Sequence, residues 1–162
     1  MRVGLLTGGG DCPGLNAVIR AVTKSLINLC NAEVVGIEDG LAGLMENRTR
    51  MLDWHSVSGI LAFGGTILGT SNRANPLLSE ETTRQTMANV QALGLDALVA
   101  VGGDGTMTIA HGLAQRGLRV VGVPKTIDND IEGCERSFGF DTAVATVTQA
   151  LERVQTTGQS HG

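Results

Sequence analysis

This chain of 162 residues predicts an α/β fold: an open, mostly parallel sheet with helices on both faces. Three observations point there. Short apolar runs alternate with stretches of helical periodicity. The runs are apolar at successive positions, as strands covered on both faces are. They also end in glycine clusters, in a chain with 23 glycines, about twice ordinary usage.

Residues 3–7 are a short apolar run stopped by Gly8-Gly9-Gly10, a buried strand breaking into a loop. Over residues 15–29, Leu15, Val18, Ile19, Val22, Leu26 and Leu29 recur at spacings of three and four, which makes one buried helical stripe. Residues 33–37 read as a second strand, whereas 39–61 follow no clear period. A helix is predicted over 79–93, with Glu80 and Glu81 in its first turn, where negative charge suits the helix dipole, and Gly94 just past its end. Residues 97–101 form a fully apolar strand stopped by Gly102-Gly103. A helix over 106–116, a strand over 119–123 ended by Pro124, and a helix over 142–154 complete the pattern. The last stretch, 156–162, is small and polar and reads as a disordered tail or a chain cut short.

Composition narrows the function. A chain this long buries about 69% of the surface its unfolded form exposes, enough for one α/β domain over residues 1–162. With 12 basic and 16 acidic residues the net charge is −4, and one Trp, three Phe and no Tyr leave few stacking platforms. Nucleic acid is therefore not an expected partner. Cys12, Cys30 and Cys134 are odd in number and form no CxxC pair, so neither a disulfide framework nor a zinc site is indicated. No apolar run approaches a membrane span and the opening residues lack a signal-peptide layout, so a cytoplasmic protein without membrane partners is expected.

In open α/β sheets ligands bind beyond the carboxyl ends of strands, which directs attention to the loops after residues 7, 101 and 123. The first, Gly8-Gly9-Gly10-Asp11-Cys12-Pro13-Gly14, is either a phosphate-approaching loop at a helix N-terminus or a plain strand-to-helix turn. It is neither a Walker A motif nor GxGxxG. Positive potential there is a reason for Cys12 to be a lowered thiol, but a small loop residue is the reading adopted. In the second, Gly102-Gly103-Asp104-Gly105-Thr106, a carboxylate among glycines suits a divalent cation while main-chain amides cradle phosphates; the alternative is a turn with Asp104 capping the helix. The third, Pro124-Lys125-Thr126-Ile127-Asp128-Asn129-Asp130, carries two carboxylates that project the same way if the loop is extended and can then supply a general base. A solvated acidic turn is the alternative. A fourth, glycine-rich stretch from Gly64 leads to Arg73, an arginine suited to a phosphoryl-transfer site or to the surface. Arg20 and Lys24 share one face of the first helix and read as a solvated basic pair.

GGGDCPGLNAVIR, GGTILGTSNR, VGGDGT, VPKTIDNDI and FGFDTAV occur in the order and at the spacing of the phosphofructokinase family, which the chain resembles over almost its whole length. NAD kinases and lipid kinases share a GGDGT loop but lack PKTIDND. The resemblance implies transfer of a phosphoryl group from ATP to the 1-hydroxyl of fructose 6-phosphate, with Mg2+, in glycolysis. By motif, Gly10, Arg73, Gly103, Asp104, Gly105 and Thr106 would bind the donor, and Asp104 would hold the metal. Thr126, Ile127, Asp128 and Asp130 would meet the sugar. Asp128 would be the base, Asp130 would support the site, and Arg73 would contact the transferred phosphate. Gly105 and Lys125 complete the catalytic set as donor-discriminating positions. In this family the Gly is an ATP marker and the Lys a pyrophosphate marker, so ATP is the implied donor and pyrophosphate the alternative. The family's sugar-phosphate arginines and Met-Gly-Arg segment lie beyond this stretch. The chain is therefore expected to be the nucleotide-binding N-terminal part of a homodimer or homotetramer, or else a non-catalytic nucleotide-binding fragment.

Overall fold

The computed structural model describes residues 1–161. The order is β1 (Arg2–Thr7), α1 (Leu15–Cys30), β2 (Glu33–Ile37), α2 (Leu41–Glu46), β3 (Thr49–Leu52), α3 (Glu80–Ala92), β4 (Ala97–Gly102), α4 (Asp104–Gln115), β5 (Val120–Thr126), β6 (Phe138–Gly139) and α5 (Phe140–Ser160). The sheet runs β3-β2-β1-β4-β5-β6. All pairings are parallel except β2 with β3.

Strand pleating divides the core in two. Val3, Leu5, Val34, Val99 and Val101 point to the side covered by Leu15, Val18 and Ile19 of α1. Leu6, Val35, Leu98 and Ala100 point to the side where Leu41 and Leu44 of α2, Val90 of α3, and Ala110 and Leu113 of α4 pack. Burying each such side chain is worth about 1.5–3 kcal/mol, so apolar residues on both faces of the inner strands are what fastens helices to each.

Several expectations need correction. The unassigned stretch 39–61 contains α2 and the antiparallel β3, short elements with too few residues to display a period. Pro124 does not end β5: the strand pairs with β4 as far as Pro124 and with β6 from Lys125, so the missing proline donor falls where one neighbour is exchanged for the other. Ser79 is not helical but caps α3, its side chain accepting from the Thr82 N–H in a capping box. The last helix is longer than predicted at both ends, and residues 156–160 belong to it rather than to a disordered tail; Gly162 lies outside the described residues. Among the described residues no helix is long and apolar enough to cross a membrane.

Gly43 shows how tightly the α2 turn is held. A Cβ there would overlap the Glu38 carbonyl oxygen and come within 3.0 Å of the Arg48 carbonyl oxygen. Gly43→Ala should therefore destabilise, because overpacking against main chain costs ~1–3 kcal/mol and outweighs the ~1 kcal/mol that alanine gains in a helix. Thermal unfolding checks this, with a lowered midpoint expected.

Candidate active site

β1 is flanked by β2 on one side and β4 on the other, so the winding reverses between β1 and β4 and opens a crevice beyond their carboxyl ends. The loops after β1, β4 and β5 meet there around a cavity of about 450 Å³. Gly10, Gly103, Gly105 and Thr106 line one part of it, and Lys125, Thr126, Ile127 and Asp128 line another. Eight of the predicted site residues thus share a single hollow.

α4 begins at this hollow, capped by Gly103 without a side-chain capping bond; α1 is likewise capped by a glycine, Gly14, which lies two residues past the cavity-lining Cys12 and outside the lining itself. In contrast, α3 begins away from the cavity and satisfies its own first turn with Ser79 and Thr82. The orphan N–H groups and positive dipole end of α4 are therefore left for an anion in this cavity. Close packing forces small residues here. A Cβ on Gly8 would lie 2.7 Å from Thr106 Oγ1, and a Cβ on Gly102 would lie 2.7 Å from Thr106 Cγ2. Thr106 is thus wedged between the first and second loops and sets their spacing.

Lys125 is 4% exposed, and its ammonium donates to the Gly10 carbonyl. It ties the third loop to the first. Asp128 is exposed at the cavity wall, its main-chain N–H donating to Thr126 Oγ1 at 3.2 Å while its carboxylate accepts from that hydroxyl at 3.3 Å. The third loop is not extended. Asn129 adopts the left-handed conformation, φ 52°, and its side chain bonds the Ser137 N–H at 2.9 Å and the Glu135 carbonyl at 3.3 Å. This turn takes Asp130 out of the cavity lining, so the two carboxylates do not form the same-side pair that an extended loop would give.

Two other predicted residues stand at the margin. Asp104 is exposed in the first turn of α4, between the cavity-lining Gly103 and Gly105. Arg73 is exposed and follows the cavity-lining Ser71 and Asn72, its N–H donating to Ser71 Oγ at 3.3 Å. Neither lines the cavity itself. The loop leading to Arg73 is fastened to the first loop by bonds that motif spacing did not reveal. The Gly9 N–H donates to the Ser71 carbonyl at 3.3 Å, Thr70 Oγ1 to the Gly9 carbonyl at 2.5 Å, and the Thr66 N–H to Asp11 Oδ1 at 2.9 Å.

The phosphofructokinase family model matches residues 2–162. The chain belongs to the phosphofructokinase family. It is 53% identical over 165 residues to the ATP-dependent 6-phosphofructokinase 2 of Streptomyces coelicolor, covering 99% of this chain and 47% of that relative. It is 49% identical to the pyrophosphate–fructose 6-phosphate 1-phosphotransferase of the same organism, again over 99% of this chain and 47% of the relative. The structure of phosphofructokinase from Saccharomyces cerevisiae superposes with a TM-score of 0.85 at 30% identity, over 99% of this chain and 24% of that one. The chain spans about half the length of the curated relatives it matches.

Within this phosphofructokinase chain one minor expectation changes. Arg20 and Lys24 are not merely solvated: Arg20 Nη1 donates to the Val57 carbonyl at 2.9 Å, and Lys24 Nζ sits 3.9 Å from the Trp54 ring centroid. Cys12 is buried, and burial pushes its thiol up; Lys125 opposes this and Asp11 adds to it. Burial thus outweighs the positive potential of the loop at Cys12, which agrees with its reading as a small loop residue.

Proposed function

We propose that the chain is the donor-binding part of a cytoplasmic, glycolytic 6-phosphofructokinase that moves the γ-phosphoryl group of ATP to the 1-hydroxyl of fructose 6-phosphate. The observation that carries this is the convergence, in one cavity of a phosphofructokinase chain, of the first glycine loop, the glycine-capped N-terminus of α4 and Asp128. Donor phosphates lie along Gly10 and Gly103 to Thr106, held by main-chain N–H groups. Asp128 takes the proton of the attacking hydroxyl, and Thr126 and Ile127 position the sugar beside it. Arg73, next to the cavity-lining Asn72, meets the charge that develops on the transferred group. Asp130, set back by the turn at Asn129, acts on the loop rather than on substrate.

Asp104 fits Mg2+. This ion keeps several waters and takes one or two carboxylates with the substrate's own phosphates, so a lone carboxylate between two cavity-lining glycines suffices. When bound, the ion supplies neutralisation of phosphate charge in the transition state.

Two observations favour ATP over pyrophosphate. Gly105 lines the cavity, and the space where its Cβ would lie has nothing within 4 Å, which leaves room for a nucleotide's α-phosphate. The ammonium of Lys125 is engaged by the Gly10 carbonyl and serves as a loop latch, so its presence does not by itself select pyrophosphate. Sugar-phosphate contacts beyond this stretch, and a homodimer or homotetramer, belong to the same reading. Its test is product identity in the full-length protein. Phosphorus NMR should find a new phosphate ester on C1 of fructose 6-phosphate, and phosphorylation elsewhere, or none, would reject the reading.

A further inference from the structure

Asn16 is 1% exposed on α1, beside the apolar stripe, and both of its side-chain polar atoms bond one distant segment. Its Nδ2 donates to the carbonyls of Phe63, at 3.0 Å, and Gly65, at 2.6 Å, while its Oδ1 accepts from the Ile67 N–H at 2.8 Å. Only a primary amide satisfies two acceptors and one donor at once; a carboxylate offers no donor and a hydroxyl only one. From this anchor a line of bonds runs toward the cavity. Thr66 Oγ1 meets Thr7 Oγ1 at 2.9 Å, Thr7 Oγ1 donates to the Gly69 carbonyl at 2.8 Å, Thr70 Oγ1 reaches Gly9, and the Gly9 N–H reaches Ser71. Arg73 follows two residues later.

We propose that Asn16 is a positioning residue for phosphoryl transfer, fixing the stretch from Phe63 to Arg73 against the first loop so that Arg73 is held at the transferred group. This rests on the phosphotransfer reading above. Asn16 touches no reacting atom. Its influence runs through the main chain of one loop, which distinguishes it from a residue that only supports the core.

Asn16→Asp keeps size and the bond from Ile67 but sets an oxygen against two carbonyls. In the full-length protein kcat should fall ~10- to 100-fold, since misplacing a reacting group by about 1 Å is worth up to ~100-fold in rate, while the KM for fructose 6-phosphate moves less than ~3-fold. In an Arg73→Ala background the same substitution should cost less than ~3-fold, because its effect passes through that arginine. Amide exchange at Thr66, Ile67 and Gly69 should accelerate with it. If Asn16→Asp fails to fold, Thr66→Val removes the next link and should give the same loss of kcat and the same lack of additivity. Losses that multiply with Arg73→Ala would mark a merely structural role and overturn the proposal, as would a kcat within about twofold of the parent. A parent enzyme that transfers no phosphoryl group would overturn the functional reading as well; an active parent with an indifferent Asn16→Asp would overturn this proposal alone.

Discussion

Asp128→Ser, in the full-length protein, should lower kcat by ~10²- to 10⁴-fold, the usual worth of a general base in the transition state. Donor affinity should hardly change, because the glycine loops proposed to receive the donor follow β1 and β4, whereas Asp128 lies beyond β5. The thermal midpoint should hold too. Asp128 is exposed, and its main-chain N–H already turns onto Thr126, so no buried partner is orphaned. Asp130→Asn, outside the cavity lining, should cost less than Asp128→Ser. Steady-state kinetics beside ATP-binding calorimetry separates these effects. Near-normal turnover in Asp128→Ser would remove it as the base.

Gly105→Asp should exchange the donor. The backbone of Gly105 is not in the left-handed region and its Cβ direction is empty, so the fold admits the side chain. A carboxylate in the first turn of α4 also suits the helix dipole, so stability should hold or rise slightly. The chemistry should not be indifferent. Two like charges 4 Å apart repel by ~4 kcal/mol at an effective dielectric of 20, so even a partial effect of ~1.4 kcal/mol lowers kcat/KM for ATP tenfold. Pyrophosphate brings no α-phosphate with a nucleoside attached, and Lys125 is already in place, so turnover with pyrophosphate should appear or increase. Unchanged ATP kinetics would refute the part assigned to Gly105.

The inner strands were legible because a strand covered on both faces must be apolar throughout, as 97–101 is, and because the glycines that stop it are the ones that approach the site. α1 was legible through its stripe. β3 was not, since an edge strand whose first three residues are partly or fully exposed carries no such signature. The extent of β5 is not legible, because proline's missing donor matters only where a neighbour asks for it. In the site, eight cavity-lining residues between Gly10 and Asp128 are legible through the family motifs, whereas Leu41, Ala74 and Ile109, and which residues touch one another, are not. Spacing alone did not reveal the grip of Asn16 on residues 63–67, the insertion of Thr106 between Gly8 and Gly102, or the bend at Asn129 that parts Asp128 from Asp130. Each depends on segments brought together only by folding. A polar residue beside an apolar helical stripe was the one available signal for Asn16.

The most direct test is the rate of fructose 1,6-bisphosphate formation by the full-length protein with ATP and with pyrophosphate, side by side at equal Mg2+. Product with both is expected to be unequal, ATP exceeding pyrophosphate by ~10-fold or more, a difference of about 1.4 kcal/mol in the barrier. Faster transfer from pyrophosphate, or no bisphosphate from either donor, would contradict an ATP-dependent kinase site built from Gly105, Asp104 and Asp128.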